Sequence, residues 1–479
     1  MADQNRISRR RALQASAATL GGLAAAASQQ GTAQAAAPPA RQAGRPVGTK
    51  LPDGSYAHNV EVVGYSDLRE HPGFKMAVRE VNGRWYLYVA HFNIAPDYLG
   101  GWSVVDVTDP REPELVNHIP GPVHTMTLQM DLSGDTMVTA LEKPFPVHLD
   151  PTPDDPFEEG VVIWDIKDPV NPRRLSHWRT KGTGTHRNHY SGGRYVHLAA
   201  GMPGYRGNIY VILDISDRSR PKEAGRWWVP GQKEGETPAH GGTSSGHFHG
   251  FCCGAGNTVS LHGPAYVSGN LAYLPYGGAG MVVLDISDVS DPKPVSTLPF
   301  SPPFHSLFGV HGVLPLPEQG IAFVNSEDVS YGKGAAHHAS IVDISNPSKP
   351  FLLSLLPEPV PHPDAPYEDF YTRGGWGGPH NMNHHQYHPA VERQEGIFYM
   401  AHFNAGLRIY DVSNRRLPQE IGHFLPADPK KRYMPLPEDK LVTQTEDVVV
   451  DRRGFIYISD KNRGIYVLRY TGPRPRLSR

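Results

Sequence analysis

Histidine recurs at one position of a repeated sequence pattern. Five short segments, PVHTM, GTHRN, SLHGP, GVHGV and NHHQY, stand in the same register relative to the turn that follows each of them. Neutral imidazole is the commonest protein ligand of transition metals. If the fold gathers these segments around one axis, we expect a metal site there; the alternative is that a repeated structural position holds histidine. The predicted metal ligands are His124, His186, His262, His311, and His384 or His385.

The donor types restrict the metal. The chain has only two cysteines, so a histidine-rich site suits copper, iron or zinc, whereas calcium and magnesium need oxygen ligands. A zinc enzyme usually uses three protein ligands and keeps one position open. A larger number of imidazoles favours copper, with iron or zinc as the alternatives.

Three further residues are candidates for catalysis. In the seventh repeat, the stretch TQTEDV offers Glu446 where the other repeats offer histidine. The tripeptide His-Phe-Asn occurs at 91–93 and again at 402–404, in loops that we expect on the same face. We therefore predict that His91, His402 and Glu446 act as general acid or base groups above the metal. The alternative is that such loop residues only orient the metal-binding histidines.

The segment SGHFHGFCCG, residues 245–254, contains both cysteines of the chain. It lies in an insertion ahead of His262, so we expect His247 and His249 as lid contacts over the site. In an oxidising compartment, the adjacent Cys252 and Cys253 favour a strained disulfide. Free thiols, or soft ligands to copper, are the alternatives.

The elements that must position these residues form a repeat. Six segments of the type VVLDISD join an apolar run to a turn with Asp and a second Asp or Asn. The Asp side chain stabilises such turns because it accepts hydrogen bonds from nearby backbone N–H groups. The repeated Asp residues lie 49 to 71 positions apart, close to the length of a propeller blade with loop insertions. They are Asp106, Asp165, Asp214, Asp285, Asp343 and Asp411.

Four strands can be read around each repeat, which predicts an all-β fold: a seven-bladed β-propeller of four-stranded antiparallel blades. The seventh repeat has only three strands after residue 443, and we expect the N-terminal segment NVEVVGYSDL, residues 59–68, to supply the fourth and close the ring. Six blades or two sandwiches are the alternatives. Two insertions, 231–261 and 358–383, should form lids on the face where the histidines lie.

The recurring pattern is similar to the LVIVD repeat of secreted bacterial β-propellers, and it covers almost the whole chain after the N-terminal segment. This resemblance implies the propeller fold and no particular activity. The histidines add a looser resemblance to the selenium-binding and methanethiol oxidase family, periplasmic propellers with histidine-bound copper. That analogy implies copper-dependent oxidation.

The N-terminus resembles a twin-arginine (Tat) export signal over residues 1–37. The stretch SRRRAL is followed by the mildly apolar run ASAATLGGLAAAA and by the cleavage-site pattern Ala-Gln-Ala. A Sec signal with an incidental arginine cluster is the alternative. We expect a linker over 38–58, a single propeller over 59–479, and a periplasmic or secreted protein that meets the Tat export machinery.

Charge and motifs narrow the function. The chain has 46 Lys and Arg against 48 Asp and Glu, which gives no electrostatic reason to expect nucleic acid or an anionic membrane surface as partner. Outside the N-terminal segment no stretch approaches the ~20 consecutive apolar residues that span a bilayer, so we expect no membrane insertion. It has no nucleophile elbow, P-loop or dinucleotide fingerprint. We expect a copper or iron oxidoreductase for a small organic substrate. The alternatives are a non-catalytic propeller that binds a protein or surface ligand, and a metallohydrolase of an ester or lactone.

Overall fold

The repeated apolar runs form strands, and the strands associate into seven antiparallel sheets, the blades of a β-propeller. The computed structural model describes residues 48–92, 100–144, 156–237, 259–300, 308–327, 329 and 338–475. The predicted export signal lies outside the described residues. So do His247, His249, Cys252 and Cys253.

Six blades have four strands each, which follow one another from the channel outward. Blade 1 comprises Gly73–Val81, Arg84–His91, Trp102–Asp106 and Glu114–Ile119. Blade 2 comprises Met130–Ser133, Thr136–Leu141, Gly160–Asp165 and Arg173–Trp178. Blade 3 comprises Gly184–His189, Tyr195–Gly201, Asn208–Asp214 and Lys222–Trp227. Blade 4 comprises Tyr266–Ser268, Leu271–Pro275, Met281–Asp285 and Lys293–Leu298.

Blades 5 and 7 follow the same order. Blade 5 comprises Phe308–Leu316, Ile321–Glu327, Ala339–Asp343 and Phe351–Leu355. Blade 7 comprises Thr445–Val450, Phe455–Asp460, Gly464–Tyr470 and Val60–Ser66. The helical elements of the described residues are short 3-10 turns at Leu68–Glu70, Gly277–Ala279 and Pro317–Gln319. None of them is long and apolar enough to cross a lipid bilayer.

Blade 6 departs from the predicted pattern at both edges. Its strands are Ile397–His402, Gly406–Asp411 and Gln419–Leu425, and Tyr56–His58 and Thr49–Lys50 extend its outer edge. On the channel side no regular strand forms; a bridge joins Met382 to Met400, and His380 N donates to Ala401 O. The four-strand pattern of the repeats predicts an inner strand of blade 6 at HHQYHPA, residues 384–390, and this prediction is wrong because no strand forms there.

The N-terminal strand closes the ring as predicted. Val60–Ser66 pairs antiparallel with Gly464–Tyr470, from Ser66 opposite Ile465 to Val60 opposite Tyr470. The last blade therefore contains strands from both ends of the described chain. This pairing confirms seven blades and excludes the six-bladed and two-sandwich alternatives.

Neighbouring blades pack face to face. Between blades 3 and 4, the fully buried Tyr210 and Ile212 contact a layer that includes Leu274 and Val282. Because both faces of a blade are covered in this way, its central strands read as continuous apolar runs such as MVVLD. The same packing fixes the position of each inner strand around the channel.

Candidate functional site

Irregular pairing at the start of the inner strands places polar side chains in the channel. The pairing register of blade 3 shifts at His186, and that of blade 7 shifts at Glu446. Blade 5 has a similar shift in the segment that holds His311. A bulge leaves one residue unpaired and re-aims its side chain. These positions therefore face the propeller axis although their neighbours lie in regular strands.

Four imidazoles from successive blades lie side by side in the channel. The ring centroids of His186 and His262 are 4.6 Å apart, and those of His262 and His311 are 4.5 Å apart. His380, from blade 6, continues the row at 4.9 Å from His311. All four residues are buried. The structure thus brings together three of the histidines predicted as metal ligands and adds one that the sequence analysis missed.

Glu327 lies among these imidazoles. Its Oε2 is 3.3 Å from Nε2 of His262 and 3.5 Å from Nε2 of His311. Its Oε1 is 3.3 Å from Nε2 of His380. One ligand atom each from His262, His311 and Glu327 can be chosen so that all three lie within 4.8 Å of one another. Two imidazoles and one carboxylate form a donor set that suits a divalent transition metal.

Burial keeps the imidazoles neutral. Loss of hydration, reinforced by neighbouring basic side chains, holds the pKa values of His262, His311 and His380 well below the usual histidine value. Neutral imidazole is the form that binds a metal. At neutral pH these three rings are therefore in the protonation state that a metal site needs.

Glu446 lies on the other side of His380, with its Oε2 3.2 Å from Nδ1 of that ring. Its carboxylate also forms an ion pair with Lys461. Burial raises the pKa of Glu446 to about 7, although the Lys461 ammonium opposes the shift. The predicted catalytic residue Glu446 is thus in contact with the histidine row. We call His186, His262, His311, His380, Glu327 and Glu446 the channel cluster.

An aromatic cage surrounds Lys461. The ammonium nitrogen lies 3.7 Å from the ring centroid of Trp376, and three phenylalanine rings complete the cage. Their centroids are 5.0 to 5.8 Å from the nitrogen, and they belong to Phe74, Phe92 and Phe403. Cation–π contacts of this kind stabilise a charge that has lost its water. The cage therefore keeps water away from the Glu446–Lys461 pair.

Arg187 brings a second cation into the channel. One guanidinium nitrogen, Nη2, is 2.8 Å from Nε2 of His311 and 3.3 Å from Nε2 of His380. The other, Nη1, donates to Oδ1 of Asn381 at 2.8 Å. Since Arg187 can only donate, these imidazole nitrogens accept from it. A metal that binds His311 through Nε2 must replace this hydrogen bond.

Glu142 orients His186. Its Oε2 is 2.8 Å from Nδ1 of His186, which makes Nδ1 the protonated nitrogen and places the lone pair on Nε2. A carboxylate behind a histidine is the usual support of a metal-binding ring. Glu142 therefore acts on the channel cluster through His186.

His384 and His385 do not join the channel cluster as predicted. They lie farther along the channel, where Oδ2 of Asp131 is 2.9 Å from Nδ1 of His189 and Oδ1 is 3.0 Å from Nδ1 of His385. The ring of His384 stacks on Tyr266 with centroids 5.0 Å apart. The prediction chose His384 or His385 by counting back along the chain from the Asp-containing turn of blade 6. That count fails because the inner segment of this blade is not a regular strand.

His91 and His402 also point away from the channel cluster. His402 Nε2 is 3.2 Å from the Tyr410 hydroxyl, whereas the next residue, Phe403, stacks on His380 with centroids 4.3 Å apart. His91 contacts Ser103 of its own blade and Pro72, which directly precedes that blade. Adjacent residues of a strand point to opposite faces. In the repeated tripeptide it is therefore the phenylalanine, not the predicted histidine, that faces the channel.

His124 is the least buried of the predicted ligands. It precedes the inner strand of blade 2, is half-buried, and has a φ of 51°. Two residues later, Met126 bridges to Glu142. The irregular backbone at this point explains why the repeat register alone does not define the orientation of His124.

The insertion 358–383 contributes to the site directly. It supplies His380 to the channel cluster and Trp376 to the aromatic cage, and both side chains are buried. We predicted a lid, and in the structure the end of this segment is packed into the channel mouth. The sequence signal was the stretch GGWGGPHNMNHH, in which the first histidine, not the last two, occupies the equivalent position.

Comparisons with known proteins agree with this fold. LVIVD repeats match residues 204–228, 265–297, 339–355 and 394–425, in blades 3 to 6, which confirms the resemblance drawn from the sequence. The chain is similar to a hypothetical selenium-binding protein from Sulfolobus tokodaii, at 12% identity over 81% of this chain and 82% of that chain, with a TM-score of 0.51. It is also similar to a protein from Lactobacillus plantarum, at 12% identity over 81% of this chain and 99% of that chain, with a TM-score of 0.50. Similarity at this identity shows the fold alone. A search of curated proteins found no match.

Proposed function

We propose that this propeller, whose blades carry LVIVD repeats, is an exported metal-dependent oxidoreductase that acts on a small organic substrate at the channel mouth. The observation that carries the proposal is the buried group of His262, His311 and Glu327, with ligand atoms within 4.8 Å of one another. Export rests on the Tat-like sequence of residues 1–37, which also makes the periplasm or the cell exterior the proposed location.

The carboxylate of Glu327 changes which of the candidate metals, copper, iron or zinc, the site favours. Two histidines and one carboxylate with open positions are typical of non-haem iron(II) oxygenases, whereas copper favours sites richer in imidazole. Glu327 therefore favours iron over copper. Zinc in the same donor set would favour the metallohydrolase alternative.

The other residues of the channel have separate roles in this proposal. A bound metal would supply redox chemistry at its open positions. Glu446 holds or accepts a proton, because a pKa of about 7 suits a general base near neutral pH. The aromatic cage excludes water from that carboxylate and from Lys461. Arg187 supplies a guanidinium, which favours a substrate with an anionic group.

The substitution Glu327→Gln tests the metal site. It keeps the shape of the side chain and removes the charge that would bind the metal. We expect the affinity for iron(II) to fall at least about tenfold, since loss of even an outer partner of a metal ligand commonly costs that much. Two measurements test this: the metal content of protein exported from its native host, and the titration with iron(II) of protein whose metal was removed by a chelator. Glu318→Gln, on an exposed 3-10 turn, is the matched control.

The outcomes separate the candidate functions. Iron or copper in wild-type protein, identified by metal analysis and EPR spectroscopy and lost in Glu327→Gln, supports the oxidoreductase. Zinc in the same position supports a hydrolase. If the wild-type protein contains no metal and a chelator leaves its melting temperature unchanged, the proposal is wrong and the non-catalytic binding propeller is favoured.

A further inference from the structure

A second group of histidines lies outside the channel, at blade 1. His71 belongs to the link between the closing strand and blade 1, His91 ends the second strand of that blade, and His118 lies in its outer strand. One ligand nitrogen from each can be chosen so that all three lie within 4.8 Å of one another. We call these residues the blade 1 triad.

We propose that the blade 1 triad binds a divalent transition metal of the zinc class, independently of the channel cluster. The three rings form a tight group, with centroid distances of 4.2 Å between His71 and His118, 4.9 Å between His71 and His91, and 5.4 Å between His91 and His118. Three imidazoles are a common zinc donor set with a fourth position left for water.

Hydrogen bonds orient two of the rings for this role. Nδ1 of His91 is 3.1 Å from the carbonyl oxygen of Pro72, which can only accept, so Nδ1 carries the proton and Nε2 the lone pair. Nε2 of His91 is 2.7 Å from Oγ of Ser103, and that oxygen is 3.1 Å from Nδ1 of His118. Ser103 then donates to Nε2 of His91 and accepts from Nδ1 of His118. This tautomer leaves the His118 Nε2 lone pair for a metal. A metal that binds His91 through Nε2 must replace the hydrogen bond from Ser103. A carbonyl behind the ring is the support found for metal-binding histidines.

The link that carries His71 has an unusual backbone. Leu68, Arg69 and Glu70 have φ values of 53°, 55° and 65°, a run of left-handed residues without a glycine. Such conformations are unfavourable for residues with a Cβ and tend to occur at functional positions. The turn brings the ring of His71 onto that of His118, at an interplanar angle of 10°. The guanidinium of the exposed Arg69 donates to the Leu115 carbonyl at 3.1 Å.

The location gives the metal a structural role. His71 lies at the end of the segment that joins Val60–Ser66, the strand that closes the ring, to blade 1. An ion bound to His71, His91 and His118 would tie this link to two strands of blade 1. Because the site exists only in the folded chain, zinc binding should raise the melting temperature.

The substitution His118→Ala tests the proposal, with His177→Ala as the matched control. His177 occupies the equivalent place in the outer strand of blade 2, opposite Val162 as His118 is opposite Ser103. Equilibrium dialysis of the full chain with zinc chloride should show a loss of about one equivalent in His118→Ala and no loss in His177→Ala. Zinc should raise the melting temperature of wild type more than that of His118→Ala.

His71→Ala provides a second variant if His118→Ala fails to fold, because His71 lies in a link outside the strands. Equal zinc content and an equal melting shift in wild type and in a folded triad variant would overturn the proposal. The channel site is measured separately. A metal ion that Glu327→Gln loses and His118→Ala keeps is one that the channel cluster binds. The two proposals can therefore fail independently.

Discussion

At the scale of single residues, buried histidines outside the candidate sites have their own effect on stability. His197, in the second strand of blade 3, is buried, and its Nδ1 is 2.7 Å from the Tyr210 hydroxyl. Burial, and to a smaller extent the neighbouring His189, lowers the pKa of His197 to about 3. A folded-state pKa this far below the unfolded value makes stability depend on pH.

We predict that His197→Gln makes the protein less sensitive to acid. As pH falls below about 6.5, the pKa of an unfolded histidine, His197 becomes protonated in the unfolded chain. In the folded chain it stays neutral until about pH 3. Stability is therefore lost between these values, by up to about 1.4 kcal/mol per pH unit from this residue. The variant lacks this loss. Urea unfolding midpoints of both proteins, measured from about pH 8 to about pH 5, test the prediction.

At about pH 8, His197 is neutral in the folded and in the unfolded wild-type chain. The difference in urea unfolding midpoint between wild type and His197→Gln at this pH therefore gives the packing cost of the substitution and serves as the internal control. This difference in unfolding midpoint should become smaller as pH falls. A constant difference across the range would show that His197 is as easily protonated in the folded protein as in the unfolded chain.

At the scale of elements, the repeated turns are the best-defined local structures. In blade 4, the Asp285 side chain accepts from the backbone N–H of Ser287 at 2.8 Å, and Asp288 accepts from that of Ser290 at 3.0 Å. The first of these bonds recurs in the other five repeats, where the accepting carboxylates belong to Asp106, Asp165, Asp214, Asp343 and Asp411. Two successive side-chain bonds fix the reversal between the third and fourth strands.

We predict that Asp285→Ala destabilises the propeller by about 1 kcal/mol, the net value of a typical hydrogen bond of this kind. Asp343→Ala should act similarly, and because the residues are in different blades the double variant should lose about 2 kcal/mol. Urea unfolding measures the loss of stability in the two single variants and in the double variant. Asp291→Ala is the control, since the exposed Asp291 pairs only with the exposed side chain of Lys293 among the described contacts. Equal midpoints for Asp285→Ala and Asp291→Ala would contradict the prediction.

At the scale of the whole molecule, ring closure depends on one strand. Val60–Ser66 covers the outer edge of Gly464–Tyr470, and without it that strand has an open edge. The same N-terminal segment supplies Tyr56–His58 to blade 6, where it pairs with Gln419–Leu425. The closing segment therefore contacts two neighbouring blades.

We predict that a chain beginning at residue 48 melts at the same temperature as the chain from residue 1, because it keeps every described strand. A chain beginning at residue 68 should associate through the open edge of the last blade and melt at a lower temperature. Calorimetry and size-exclusion chromatography measure these effects. A synthetic peptide of residues 59–67 should restore the monomer by adding a strand, whereas a scrambled peptide should not. A stable monomer from residue 68 would show that closure is dispensable.

Much of the fold was readable from the sequence because it depends on local chemistry repeated along the chain. Apolar runs, Asp-containing turns and their spacing predicted the strands, the blade number and the closing role of residues 59–68. The register failed in blade 6, where the inner segment has no regular strand and His380 replaces His384 or His385. Counting along the chain assumes a regular strand, and that assumption is weakest where a functional segment is irregular.

The sequence by itself predicted that histidines from several blades would meet around the axis, because a repeat places equivalent residues at equivalent heights, and His186, His262 and His311 do meet there. Only the tertiary structure decided which of them share a contact. Glu327 stands among three imidazoles, Arg187 competes for His311, and His91 joins His71 and His118 instead of the channel. Contacts between residues from different blades depend on where bulges fall and on which side chain faces the axis, and the spacing of residues along the chain does not specify either.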